Sequence, residues 1–127
     1  MQQRLDQRVV TWEPAAVGSD GVIDLFQLEK GERLLYASHE IMRPATAAAT
    51  GDATVGVTGG DVDGVITAAN IDLTAAAGTI VQGLGALLLA SGGMLATAAT
   101  TISIAYTAGG DPKLVAPRVR FVFHVLQ

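Results

Sequence analysis

From Arg118 to Val125 the chain alternates with a period of two. Val119, Phe121, Phe123 and Val125 fall on one side, and Arg118, Arg120 and His124 on the other. A helix repeats every 3.6 residues, so this pattern specifies a strand with one buried and one wet face. A strand of that kind is stable only inside an antiparallel sheet that covers its apolar side. Pro117 stands just before it, where a missing N–H costs least.

The same period recurs upstream. Ile102, Ile104 and Tyr106 alternate with polar or small residues in Thr101–Thr107, and Ala53, Val55 and Val57 alternate with Thr54, Gly56 and Thr58. Residues 33–43 form the longest strand candidate, stopped by Pro44. In Val22–Leu28, Ile23, Leu25 and Gln27 oppose Asp24 and Phe26, and Val9–Trp12 is a short strand near the N-terminus. Turn signals separate these runs: Gly18-Ser19-Asp20-Gly21, Lys30-Gly31-Glu32, Gly59-Gly60-Asp61, Asp63-Gly64, Gly92-Gly93 and Gly109-Gly110-Asp111-Pro112. About eight short strands at this spacing predict an all-β antiparallel β-sandwich, with a jelly roll as one form of it. The alanine-rich stretches at 45–49 and 75–77 allow a single helical turn each.

The 127 residues suffice for one domain, 1–127, in which residues 1–13 are expected to form a loose N-terminal arm. Half the residues are hydrophobic, which excludes disorder, but only 5% are aromatic. A core built from Ala and Val buries less apolar area per residue than one built from Leu and Phe. Such a domain gains from a partner surface or from oligomerisation. The absence of cysteine excludes disulfides, a thiol nucleophile and a thiolate metal site. The net charge of −4 argues against gripping nucleic-acid phosphates.

The N-terminus is polar and has no apolar signal-peptide core. The run Ile80–Ala99 is the most membrane-like stretch, but glycines and a Ser91-Gly92-Gly93 turn interrupt it. It reads as two buried strands, or a short helix and a strand, joined at Gly92-Gly93, and no membrane partner is expected.

Signals for catalysis are negative. His39 lies in the 33–43 strand and His124 on the wet side of the last strand, without a surrounding motif, and each is expected to be a satisfied or solvated strand histidine. Ser91 lacks a nucleophile elbow, and Gly83-Leu84-Gly85 lacks the rest of a dinucleotide fingerprint. Asp61 and Asp63 are the metal candidates, in Gly60-Asp61-Val62-Asp63-Gly64. That loop lacks the further ligands of an EF-hand, and Asp and Gly commonly build turns, so no metal or other cofactor is expected.

Of the cations, only Lys113 lies between residues 44 and 117, whereas Asp52, Asp61, Asp63, Asp72 and Asp111 occupy that middle region. Ordinary turn chemistry explains the aspartates; the other reading is a basic and an acidic surface that dock on complementary neighbours. Under that reading Arg4, Arg8, Arg118 and Arg120 are partner contacts, joined by Trp12 as an interface anchor. The arginines and phenylalanines of the last strand face opposite ways, so no nucleic-acid platform forms.

Several segments together resemble a family of small virion structural proteins of tailed bacteriophages, often encoded near the major capsid protein. They are Ile23-Asp24-Leu25-Phe26-Gln27-Leu28-Glu29-Lys30-Gly31-Glu32-Arg33-Leu34-Leu35, Ala53-Thr54-Val55-Gly56-Val57, Asp61-Val62-Asp63-Gly64-Val65-Ile66, Asn70-Ile71-Asp72-Leu73-Thr74, Thr101–Thr107 and Arg118–Phe123. The resemblance spans about residues 22–126 and rests on the order and spacing of strand–turn–strand units. Val57-Thr58 running into Gly59-Gly60-Asp61 and the alanines at 45–49 depart from the pattern. The resemblance implies a non-enzymatic capsid decoration (cement) protein on the virion surface. It would assemble in host cytoplasm, bind the major capsid protein and associate with itself as a dimer or trimer. A tail, collar or head-fibre protein is the alternative within the virion. A carbohydrate-binding or adhesin module is the alternative outside it, which would need an exposed aromatic platform.

Overall fold

The computed structural model describes residues 4–13, 21–45, 52–82, 85–89, 92–107 and 117–127. Among the described residues, eight strands form two antiparallel sheets: β1 (Leu5–Trp12), β2 (Gly21–Leu28), β3 (Arg33–Arg43), β4 (Asp52–Val57), β5 (Ile80–Val81), β6 (Met94–Leu95), β7 (Thr100–Thr107) and β8 (Arg118–Leu126). The larger sheet runs β1-β8-β3, with β5 and β6 pairing with β3; the smaller runs β2-β7-β4. This is the antiparallel β-sandwich that the alternating pattern predicts.

Each sheet is built around a strand with clear alternation. In β8 the side chains of Val119, Phe121, Phe123 and Val125 are fully buried. The strand pairs with β1 from Leu5↔Leu126 to Trp12↔Val119, and with β3 on its other edge. In β7, Ile102 and Ile104 are fully buried, between β2 and β4. The two apolar faces meet in one core, where Phe26 of β2 packs on Phe123 of β8 with ring centroids 4.6 Å apart.

The phase of β2 differs from expectation. A bulge between Asp24 and Phe26 lets two residues oppose one and reverses the alternation. Phe26, paired with Ile102, therefore packs against the core and Leu28 is buried, while Ile23 is 46% exposed.

Residues 5–12 are not a loose arm. They form β1, hydrogen-bonded along the full length of β8, and Trp12 at its end is buried against Tyr106. The expected strand Val9–Trp12 is its second half; the polar sequence Asp6-Gln7-Arg8 hides the first half, because its inward positions carry charges. Residues 1–3 lie outside the described residues.

The run Ile80–Ala99 contains β5, a single-turn helix α1 (Ala86–Leu89) and β6, with a turn at Gly92-Gly93. Among the described residues no helix is long and apolar enough to cross a membrane. A short 3-10 helix occupies Ala68–Asn70. Residues 75–77 lie in turns rather than a helical turn, and residues 46–49 of the first alanine-rich stretch lie outside the described residues, as do most of the Gly18–Gly21 and Gly109–Pro112 turn signals.

Candidate functional site

The sequence points to charge as the means of contact, and the structure places each candidate in an ion pair. Arg4 lies 3.1 Å from Asp6. Arg8 donates to Glu32 at 2.6 Å and to the Gln27 carbonyl at 3.1 Å, with its guanidinium 5.7 Å above the Phe26 ring. Arg118 donates twice to Glu13, and Arg120 donates to Glu40. Candidates that look like free cations in the sequence are thus neutralised, Arg4 by its near neighbour Asp6 and Arg8, Arg118 and Arg120 by carboxylates far away in the chain.

Two of these pairs are structural. Arg43 and Arg118 stand directly opposite each other in the β3–β8 ladder, where like charges repel. Glu13, just past β1, bonds to both. Hydrogen bonds from Arg43 and Arg118 hold its carboxyl below the ordinary range. Glu32 is 7% exposed, in the turn between β2 and β3. Burial pushes its carboxyl up, but hydrogen bonds from Arg8, the Glu29 N–H and Gln127 outweigh that, and the net shift is downward.

Trp12 is 3% exposed, edge-on to Tyr106 at 5.3 Å. It anchors the core and is not an exposed interface contact, because its inward position in β1 points it between the sheets. Arg8, three-quarters buried, likewise closes the gap between β1 and β2. Arg4, Arg118 and Arg120 keep exposed side chains at 72%, 46% and 43%.

Register defines what the larger sheet presents outward. Leu5, Gln7, Val9 and Thr11 of β1 pair with Leu126, His124, Val122 and Arg120 of β8, all on the outer face. Across β8 the face continues through Tyr36, Ser38 and Glu40 of β3 to Ile80 of β5. His124 packs edge-on against Tyr36 with centroids 5.2 Å apart. Leu5 and Val9 are each 56% exposed and Ile80 is 66% exposed, so this face mixes apolar side chains with paired charges. Sequence reading missed it because even and odd residues of β1 are both partly polar.

His39 departs from expectation. It is 1% exposed, and among the described residues neither ring nitrogen has a hydrogen-bond partner. Burial alone pushes its pKa below the ordinary histidine value. The ring lines a cavity of about 270 Å³ with Ile41, Ala69, Asn70, Asp72, Ala75, Thr79 and Val81. Asp72 is held below the usual carboxylate range by hydrogen bonds from the Thr74 hydroxyl and N–H.

Asp61 and Asp63 sit in a turn. The Asp61 carbonyl accepts from Val57 and Gly64 N–H groups at 3.0 and 3.2 Å. A hydrogen bond with Asp63, then burial and the charge of Asp63, raise the Asp61 carboxyl. Among the described residues, no group of three His, Asp or Glu side chains comes together to hold a metal ion.

No protein-family model matches the sequence, and no curated protein matches it. Solved structures do share the fold. A chain in the capsid of Ralstonia phage GP4 aligns with a TM-score of 0.70 at 14% identity, over 98% of this chain and 84% of that one. A chain in the Cyanophage Pam1 capsid asymmetric unit aligns at 0.61 and 16%, over 98% and 84%. A chain in the acidic stable capsid structure of Helicobacter pylori bacteriophage KHP30 aligns at 0.58 and 14%, over 98% and 93%. At these identities the likeness is one of fold: the sandwich, nearly end to end, is an architecture found in phage capsids.

Proposed function

We propose that this chain is a non-enzymatic structural protein of a phage virion that decorates the capsid and binds the major capsid protein. The observation that carries this reading is the fold shared over 98% of the chain with chains of three phage capsid structures. The sequence resemblance to small phage virion proteins points the same way. The strand order adds to it. β1, β3 and β8 lie in one sheet and β2, β4 and β7 in the other, so connections pass back and forth between sheets in the manner of a jelly roll.

Under this reading the protein joins the capsid surface in host cytoplasm. It offers a sheet face of exposed Leu5, Val9 and Ile80 beside Arg118 and Arg120, whose partners Glu13 and Glu40 are also partly exposed. Apolar side chains supply area, and the Arg120–Glu40 surface pair rearranges cheaply on contact because such a pair is worth about 1 kcal/mol or less. Bound at many symmetric positions, modest interfaces add up to a stabilised shell.

The direct test mixes the purified protein with emptied shells of the major capsid protein that lack it, followed by sedimentation. The expected result is saturable co-sedimentation at a simple ratio of subunits, with shells that withstand higher temperature. Protein that stays in the supernatant at micromolar concentration would overturn the reading.

A further inference from the structure

We infer that the cavity beside β5 binds an alkylammonium group, a positively charged amine on a short aliphatic stem, with Asp72 as its counter-charge and His39 as a hydrogen-bond acceptor. This inference stands on the cavity alone and does not require the capsid reading.

The fold builds the cavity from β3 and the segment that leads into β5. His39 pairs with Val81 in the β3–β5 ladder. Two residues further along β3, Ile41 donates its N–H to the Thr79 carbonyl at 2.9 Å and accepts from the Gly78 N–H at 2.7 Å. These bonds hold the end of the 72–79 segment against β3. At its start, the Asp72 carboxylate accepts from the Thr74 N–H and hydroxyl at 3.0 and 2.7 Å. The space enclosed is about 270 Å³. That is close to the small end of ligand pockets, roughly 300 Å³.

His39 is what asks for a guest. The residue is 1% exposed, and among the described residues neither ring nitrogen has a partner. A buried polar group left unpaired is costly, and in a native structure it calls for something that pairs with it. The ring lines the cavity, and no bond holds either nitrogen, so a turn about χ2 aims one of them at a guest. Burial also pushes the imidazole pKa down, so at neutral pH one nitrogen keeps a lone pair to accept with.

Charge selects the guest. Asp72 is the only charged side chain among the described residues that line the cavity. The bonds from Thr74 hold its carboxyl below the usual range, so it is ionised at neutral pH. One carboxylate among neutral acceptors attracts a cation and repels an anion. An ammonium brings three N–H donors. Asp72 and His39 accept two of them, and Asn70 offers a third acceptor, since its amide N–H donates to the Thr67 hydroxyl at 3.0 Å. Ile41, Ala69, Ala75 and Val81 supply apolar wall for the aliphatic stem. Among the described residues no third carboxylate or imidazole joins His39 and Asp72, so the donor set falls short of a metal site.

Titration of the isotope-labelled protein with n-butylammonium chloride, followed by NMR, tests the inference. The expected result is a saturable shift of the Ile41 and Val81 methyl signals with a millimolar Kd. Nuclear Overhauser contacts from the butyl chain to those methyls are expected as well. Butyrate and n-butanol are expected to bind about tenfold more weakly, for want of the charge. Asp72→Asn and His39→Phe, each checked for folding by circular dichroism, are expected to weaken butylammonium binding about tenfold. Nα-acetyl-lysine amide separates two sources of the group. If it competes with butylammonium, the cavity takes a lysine side chain of a neighbouring protein; if it is excluded, the guest is a free amine. No saturable shift at high millimolar butylammonium, equal binding of n-butanol, or unchanged affinity in both variants would overturn the inference and leave the cavity to water.

Discussion

Arg8 of the edge strand β1 donates to Glu32, in the turn between β2 and β3, at 2.6 Å, and Glu32 is only 7% exposed. The bond ties the N-terminal strand to the opposite sheet and explains why residues 5–12 are part of the sandwich. Glu32→Gln leaves Arg8 without its charge partner and is expected to destabilise the fold by about 2 kcal/mol. Chemical denaturation followed by circular dichroism checks this. A neutral result would mean that Arg8 finds an equivalent partner in solvent.

Trp12 fills the core beside Tyr106. Trp12→Ala is expected to cost about 3–5 kcal/mol, within the range for truncating a buried aromatic residue. Trp12→Phe keeps most of the volume and costs less. If Trp12 were an exposed partner contact, Trp12→Ala would leave the unfolding midpoint unchanged and reduce only partner binding.

His39 gives the fold an acid-sensitive window. Its pKa is depressed in the folded state by burial, so below about pH 6.5 the unfolded chain binds the extra proton first. Stability is then expected to fall as pH drops from 7 toward 5, before carboxylates titrate. His39→Phe removes this slope. The low pKa values of Glu13, Glu32 and Asp72 add a second loss below about pH 4.5, where the unfolded carboxylates take up protons first. Asp61, raised by Asp63, opposes that second loss. Unfolding midpoints across pH 4–7.5 for the two proteins test the assignment; equal slopes between pH 5 and 7 would remove His39 as the cause.

Gly56 and Gly93 fix the loops. A Cβ on Gly56 would sit 2.2 Å from the Asp61 carbonyl oxygen, and one on Gly93 would sit 2.4 Å from that of Leu34. Gly93 also holds a φ of +75°, which L side chains rarely adopt. Gly56→Ala is expected to destabilise by about 1–3 kcal/mol, because backbone must shift to admit the methyl group. Gly59→Ala, where open space surrounds the Cβ, meets only backbone strain and costs less. Thermal melts of the two variants compare them directly.

The elements legible in the sequence are those whose alternation is purely apolar against polar. Residues 33–43 match β3 at both ends, and the inward sets Ile102/Ile104/Tyr106 and Val119/Phe121/Phe123/Val125 are buried as the period requires. Val9–Trp12 was legible as the second half of β1, but its first half was hidden because Asp6 and Arg8 occupy inward positions and an apolar-periodicity reading registers charges as surface. The Leu25 bulge was hidden because one extra residue shifts every later side chain without any glycine to mark it. The ion pairs were illegible for a different reason: Arg8 and Glu32 are 24 residues apart and Arg118 and Glu13 are 105 apart, so only the folded register brings them together. His39 looked ordinary because nothing local reveals that neither nitrogen finds a partner.

A copy count in particles purified from an infected culture tests the central claim most directly. Quantitative mass spectrometry would give the ratio of this protein to the major capsid protein. A shell-covering decoration protein predicts one copy per capsid subunit or a simple fraction of that. Absence from the particles, or a handful of copies in each, would contradict it.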